Sequence, residues 1–377
     1  MQDWVRELYL RITKKLEKEW ERVGDKIPYW TEEGTYKTDY AGKDIYWWTN
    51  GFWPGILWKL YSVTGKEEYR RCAESIEEKM DEALYGFDGL HHDVGFMWLH
   101  SAVADYRLTG SKKSRSRGLM AASVLAGRYN PEGKYIRAWN PECVEPEEDC
   151  TGWIIVDSMM NIPLLYWASE ELGDKRFYYL AKNHADTVLK NLVREDGSSG
   201  HIAALNPDNG QLTAILAGQG YSNTSCWSRG LSWILYGFAL SYRYTKEKEY
   251  LDTAKKAAHY FIANCSLTGY VPLCDFRQPA EPVIYDASAG VCAACGLLEI
   301  AGHVGEEEKV IYQKHAENMI KAIVENCCNW DEDQDSIVGK CRVAYHNQAR
   351  NQTDLIYADY FLLEAVLRIM GKDFLIW

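Results

Sequence analysis

From the first turn, apolar residues recur at helical spacing: Trp4, Leu8, Ile12, Leu16 and Trp20, flanked by Val5, Tyr9 and Val23, share one face, and charged side chains fill the other. The pattern predicts an opening amphipathic helix. The same period runs through residues 67–83, 175–192, 246–264, 306–325 and 353–370, and no long stretch alternates apolar and polar positions with period two. Helices therefore dominate the expected structure.

The punctuation between these helices repeats. YSVTGKEEYRRCA (61–73) is echoed by YRLTGSKKSRSRGLMAA (106–122), SEELGDKRFYYLAKNHA (169–185), SYRYTKEKEYLDTAKKAA (241–258) and AGHVGEEEKVIYQKHA (301–316). Each copy reads as a helix end, a short turn usually marked by Gly, a charged first turn and a new helix. Stacked helical hairpins follow from this, and six of them closed in a ring make an all-α (α/α)6 barrel of about this length. No Pro-, Ser- or Gly-rich linker divides the chain, so residues 1–377 read as a single catalytic domain. The connections at 44–58, 86–98, 130–157, 196–233 and 274–288 are rich in aromatics, Gly, Asn and acids, where function tends to sit on a rigid scaffold.

Composition narrows the choice of partner. The 377 residues carry 42 Lys and Arg against 54 Asp and Glu, a net charge of -12, with no basic run to follow a phosphate backbone, so nucleic acid is not an expected partner. The 11 cysteines, an odd number in a large chain, read as reduced thiols rather than a disulfide framework. Acids and bases interrupt the opening residues where a signal peptide needs an apolar run, which makes a cytoplasmic location the expectation. No membrane association is expected either, because no apolar run reaches roughly 18 residues. The nearest, WIIVDSMMNIPLLYWA (153–168), contains Asp157, Asn161 and Pro163 and reads as a buried helix or a strand-to-helix element. The 15 Trp and 26 Tyr suit the flat apolar faces of sugar rings, although such residues also fill ordinary cores.

Two acids stand out. His91, His92 and Asp93 in LHHDVGF admit three readings: metal ligands, a cap by Asp93 on a helix through 97–106, or a catalytic or substrate-binding carboxylate. The metal reading lacks an HxxxH or paired CxxC cluster to complete a ligand set, and no metal or other cofactor is expected. Asp157 sits in sequence among Ile154, Ile155, Val156, Met159 and Met160, so burial is expected to raise its pKa, as a general acid requires, unless it is a structural Asp. If Asp93 lies near it, repulsion would couple the two titrations. The CxxC of Cys292 and Cys295 lies in a small-residue segment that reads as a packed helix, not a zinc or redox site. Phosphate loops, nucleophile elbows and dinucleotide fingerprints are absent from the sequence.

Taken together, TNGFWPGILW (49–58), HHDVGF (91–96), WIIVDSMMNIPLLYWA (153–168), SSGHIAALNPDNG (198–210), GQGYSNTSCWSRGLSWILYGFAL (218–240) and DASAGVCAACGLLEIA (286–301) resemble, in this order, the unsaturated glucuronyl hydrolases of glycoside hydrolase family 88. The likeness runs from the first helix to DLIYADYFLLEAVLRI (354–369). It implies an (α/α)6 barrel that removes a 4,5-unsaturated uronate from the non-reducing end of lyase-generated oligosaccharides by hydrating the enol-ether double bond. It makes Asp157 the acid and later base, and Asp93 its partner carboxylate. His201, Gln219, Trp227, Arg229, Trp139 and His92 become substrate-site candidates. Arg229 would meet the uronate carboxylate or else brace a loop. Trp227 and Trp139 would stack on sugar or pack in the core, and a lone His201 has a structural reading as well. The expected partner is an unsaturated uronyl oligosaccharide and the expected assembly a monomer or homodimer. Alternatives are an unsaturated rhamnogalacturonyl hydrolase of the related family 105, an inverting glycosidase acting on saturated sugars, and a non-catalytic sugar-binding barrel. The loop CVEPEEDCTG (143–152) is longer and more acidic than the family pattern, which disfavours highly sulphated substrates by repulsion.

Overall fold

A computed structural model describes residues 3–347 and 353–377; residues 1, 2 and 348–352 of the expected 1–377 unit lie outside the described residues. The opening amphipathic segment forms α1 (Asp3–Val23). Hairpins follow in order: α2 (Phe52–Thr64) with α3 (Glu67–Lys79), α4 (94–109) with α5 (Lys112–Gly127), α6 (Pro163–Leu172) with α7 (Lys175–Leu192), α8 (Ser228–Thr245) with α9 (Lys248–Ser266), and α10 (Ala287–Ala301) with α11 (Glu306–Asn326). The last helix, α12 (Ile356–Ile369), packs on α1.

Burial sorts the twelve into two rings. Nearly every residue of α8, α10 and α12, and of the first turns of α2, α4 and α6, is buried, whereas α1, α3, α5, α7, α9 and α11 bury one stripe each. A helix apolar all round has to be enclosed, so the first set forms the inner ring and the second wraps it. This is the (α/α)6 barrel read from the repeats.

The repeated turns explain the handedness of each hairpin. Gly65, Gly110 and Gly173 follow α2, α4 and α6 with φ of 69°, 77° and 65°, a left-handed conformation that ends a helix cheaply only for glycine. Lys246 takes the same place after α8 at φ 60°. Each short turn returns the chain along the outside, so all inner helices point the same way. Their N-termini and the long connections therefore gather at one end of the barrel.

Some boundaries differ from the periodic reading. The helix expected over 67–83 stops at Lys79 and a separate turn, Asp81–Gly86, follows; the one expected from 246 starts at Lys248 because Lys246 terminates α8; the one expected from 353 starts at Ile356. The helix expected over 97–106 runs from Val94 to Thr109 through a π-turn at Leu99–Val103, and Asp93 makes no side-chain capping bond to it. Small strands escaped the sequence pattern because two to five residues are too few to show a period. β1 (Tyr129–Asn130) pairs with β2 (Tyr135–Ile136), and β3 (Trp153–Ile155), β4 (Ile202–Leu205) and β5 (Leu212–Leu216) form an antiparallel sheet in which Ile155 faces Ile202. The 153–168 segment is thus the strand-to-helix element: β3, a 3-10 turn at Val156–Met160, then α6.

All 11 cysteines are free, and Cys292 and Cys295 are buried on α10, where burial pushes both thiols well up. No helix of the described residues is long and apolar enough to cross a membrane.

Candidate active site

Asp93 stands immediately before α4, and Asp157 lies in the 3-10 turn before α6, the neighbouring inner helix. Asn161, fully buried, joins them. Its Nδ2 donates to Asp93 Oδ1 at 2.8 Å and to the Asp157 backbone carbonyl at 3.1 Å, while its Oδ1 accepts the Phe96 N–H at 2.7 Å. Gly95 permits this approach, since a Cβ there would stand 2.4 Å from the Asn161 Cα. Sequence reading passed over Asn161. Its place four residues after Asp157, one helical turn on, was the available signal.

Asp157 is more open than its apolar neighbours in sequence imply. Asp157 was read as the desolvated acid, yet it is the one residue between 152 and 169 that is not buried, with 17% of its side chain exposed. The strand and the tight 3-10 turn send its apolar neighbours to other faces and leave Asp157 partly exposed. Asp93 is the deeper group, 8% exposed. Burial alone would raise its carboxyl, but the His92 and His91 imidazoles and the Asn161 amide outweigh burial and hold it below the usual carboxylate range.

Pairing of β3 with β4 brings His201 to Asp157. The Val156 N–H donates to the His201 carbonyl at 3.2 Å, and His201 Nε2 stands 3.5 Å from Asp157 Oδ2. Neither of these atoms has a hydrogen-bond partner in the protein. At the other side of the ring, the Gln219 backbone N–H donates to Nδ1 at 3.0 Å. The Ala217 carbonyl also lies 3.0 Å from Nδ1 and can only accept, so the two contacts call for opposite tautomers and either ring nitrogen can carry the proton. The Gln219 side chain leaves its Oε1 unpartnered. Trp227 is wedged between the His201 ring, 4.5 Å away, and the Arg229 guanidinium, 4.6 Å away, with its Nε1 unpartnered. Trp139 is partly exposed and packs against Trp153.

Arg229 is a correction. It is buried, and its Nη1 donates to the Asp286 carboxylate, to Ser288 Oγ and to the Arg342 carbonyl, while Nη2 donates to the Val343 carbonyl at 2.7 Å. Those partners spend its terminal nitrogens inside the protein, so it braces the 342–343 segment rather than facing a sugar.

His91 Nδ1 and His92 Nε2 lie 3.3 and 3.5 Å from Asp93 Oδ2, and these three side chains are those among the described residues whose ligand atoms cluster closely enough to hold a cation. His92 is buried with both ring nitrogens unpartnered, and burial lowers it to about 4, which keeps it neutral at physiological pH. Asp93 Oδ1 is already committed to Asn161. What the site offers chemically is one part-exposed carboxyl beside a histidine imidazole and one buried carboxylate held below the usual carboxylate range, set at the mouths of inner helices whose N-terminal dipoles favour an anionic ligand.

Comparison with known proteins places the chain among characterised relatives. The chain is 37% identical over 354 residues to the unsaturated glucuronyl hydrolase of Bacillus sp. (strain GL1), covering 92% of each protein. The crystal structure from Bacillus sp. GL1, an unsaturated glucuronyl hydrolase responsible for the degradation of glycosaminoglycan, superposes with a TM-score of 0.88 at 34% identity over 98% of this chain and 97% of that one. An aspartate-to-asparagine variant of the Streptococcus agalactiae unsaturated glucuronyl hydrolase, complexed with dGlcA-GalNAc6S, gives a TM-score of 0.84 at 27% identity, covering 99% and 93%. The model of Glycosyl Hydrolase Family 88 matches residues 20–271, and with relatives aligned along nearly its whole length the chain belongs to glycosyl hydrolase family 88.

Proposed function

We propose that this glycoside hydrolase removes the 4,5-unsaturated uronate from the non-reducing end of an oligosaccharide by hydrating its double bond, with residues 1–377 acting as one catalytic unit. The observation that carries the reading is the pair Asp157 Oδ2 and His201 Nε2, two buried polar atoms 3.5 Å apart with no partner in the protein, beside the Trp227 ring. Unpartnered buried polar atoms are costly unless a ligand or water completes them.

The chemistry follows from the groups present. The Asp157 carboxyl gives its proton to carbon four of the enol ether, and positive charge develops at carbon five and the ring oxygen. Asp93, ionised and buried, stabilises that charge more strongly than a solvated carboxylate would. Asp157, now a carboxylate, takes a proton from the water that attacks carbon five. The resulting hemiketal opens, and the hemiacetal left at carbon one releases the rest of the chain. The His201 imidazole, 3.5 Å away, positions the Asp157 carboxyl between these steps, while the Gln219 amide, the Trp227 N–H and Trp139 contact the sugar. The free thiols support a reducing, cytoplasmic setting.

Loss of the ultraviolet absorbance of an unsaturated disaccharide on incubation with the protein is the direct test. Asp157→Asn should fold normally and lose about 10²–10⁴-fold in rate, the contribution usual for general acid–base catalysis. A variant keeping more than about a tenth of the wild-type rate would remove Asp157 from this role.

A further inference from the structure

A cavity of about 620 Å³, whose lining includes Phe87, Asp88, Leu90, Arg128, Arg137 and Asn140, adjoins the segment that leads into His92 and Asp93. Arg128 ties it to the catalytic segment. Its Nη1 donates to the Leu90 carbonyl at 3.2 Å and its Nη2 to the Ala138 carbonyl at 2.9 Å, and that second carbonyl also accepts the His92 N–H at 3.1 Å.

Arginines elsewhere in the interior meet carboxylates: Arg117 pairs with Glu77 and Asp81, Arg229 with Asp286, and Arg368 with Glu299. Arg128 and Arg137 form no ion pair among the described residues. Both converge on one neutral atom, Asn140 Oδ1, at 2.8 and 3.2 Å, and Arg137 makes no other side-chain hydrogen bond there. Asp88 turns its carboxylate to the Gly89 N–H at 3.1 Å instead. Burial and the neighbouring Arg137 charge lower the Arg128 guanidinium to about 10. Two like charges held together without a counter-ion, in a chain of net charge -12, form a focused positive site on an otherwise acidic surface.

A second observation points the same way. Phe87 adopts φ 59° and ψ -48°, an unfavourable backbone for a bulky residue, and its ring stays 60% exposed at the cavity. An aromatic face held open beside guanidinium groups suits a sugar that carries an acid.

We propose that this cavity is a distal subsite for a second uronate in the reducing-side portion of the substrate, with Arg137 receiving its carboxylate and Phe87 covering its ring. The inference rests on the uronyl hydrolase reading. The acidic loop 143–152, whose Thr151 also lines the cavity, favours a singly charged uronate over a multiply sulphated unit. A free inorganic oxyanion offers the same chemistry, and the experiment separates the two sources.

The test compares the wild type with Arg137→Ala and Arg137→Gln on two unsaturated tetrasaccharides of equal length, one with an internal uronate and one neutral beyond the first ring. Both variants should lower the ratio of kcat/KM for the acidic over the neutral tetrasaccharide about tenfold, mostly through KM, with the difference shrinking as salt rises. Removing Arg137 relieves its repulsion of Arg128, so the unfolding midpoint should not fall. An unchanged ratio overturns the proposal. So does calorimetric binding of sodium sulphate or phosphate that disappears in Arg137→Ala while the ratio stays fixed, because the cavity would then serve a free anion. If the wild type turns over no unsaturated substrate, the uronyl hydrolase reading itself fails.

Discussion

Asn161→Ala tests how the buried carboxylate is kept ionised. The wild-type side chain satisfies the Phe96 N–H at 2.7 Å and donates to Asp93 at 2.8 Å. Its removal leaves a buried donor unpaired, worth about 1–3 kcal/mol, and takes from Asp93 a charge-assisted bond worth about 1.5–3 kcal/mol. A fold destabilised by roughly 3–5 kcal/mol at neutral pH is expected. Part of that loss depends on pH. The Asp93 carboxyl is depressed in the folded protein, so its ionised form adds stability above its unfolded pKa of about 3.9, and that stability is lost as pH falls through the folded value. Losing the Asn161 bond should raise Asp93, because a hydrogen bond donated to the ionised form favours it. The variant's deficit should therefore be largest near pH 7 and shrink below about pH 4. Urea titrations of both proteins at the two pH values measure this, with equal slopes required for the comparison. The acid limb of kcat/KM should move to higher pH with it while the alkaline limb stays in place. An equal deficit at both pH values with an unmoved acid limb would show that Asn161 does not set the charge state of Asp93.

Arg229→Ala should cost about 3–5 kcal/mol in unfolding experiments, because it strands the buried Asp286 carboxylate and the 342–343 carbonyls; a raised KM with unaltered stability would return Arg229 to the substrate. Lys246→Gly should stabilise the protein by about 0.5–1 kcal/mol, since φ 60° strains lysine and suits glycine, and a lowered thermal midpoint would contradict this. Extended dialysis against a strong chelator should leave the rate unchanged, because protonating an enol ether calls for an acid rather than a Lewis acid. Activity that is lost and then restored by zinc, manganese or calcium would make ligands of His91, His92 and Asp93.

The sequence by itself determined the barrel. Helical period, the left-handed turns at Gly65, Gly110 and Gly173, and the polar, aromatic connections are all local signals, and a repeating hairpin propagates them into a ring. It also singled out Asp93 and Asp157, each in a short motif at the mouth of an inner helix, while His201, just before β4, entered through the family resemblance. Tertiary structure decided which acid is buried. Ile154, Ile155 and Val156 suggested an apolar pocket around Asp157, but side-chain direction in a strand followed by a tight 3-10 turn depends on pairing with β4, some fifty residues away. Arg229 shows the same limit: its partners Asp286 and the 342–343 carbonyls are distant in sequence, so only the fold distinguished a loop brace from a substrate clamp. Periodicity reports what one segment wants to bury. Which polar atoms are left without partners, as at Asp157 and His201, depends on every segment that packs around them.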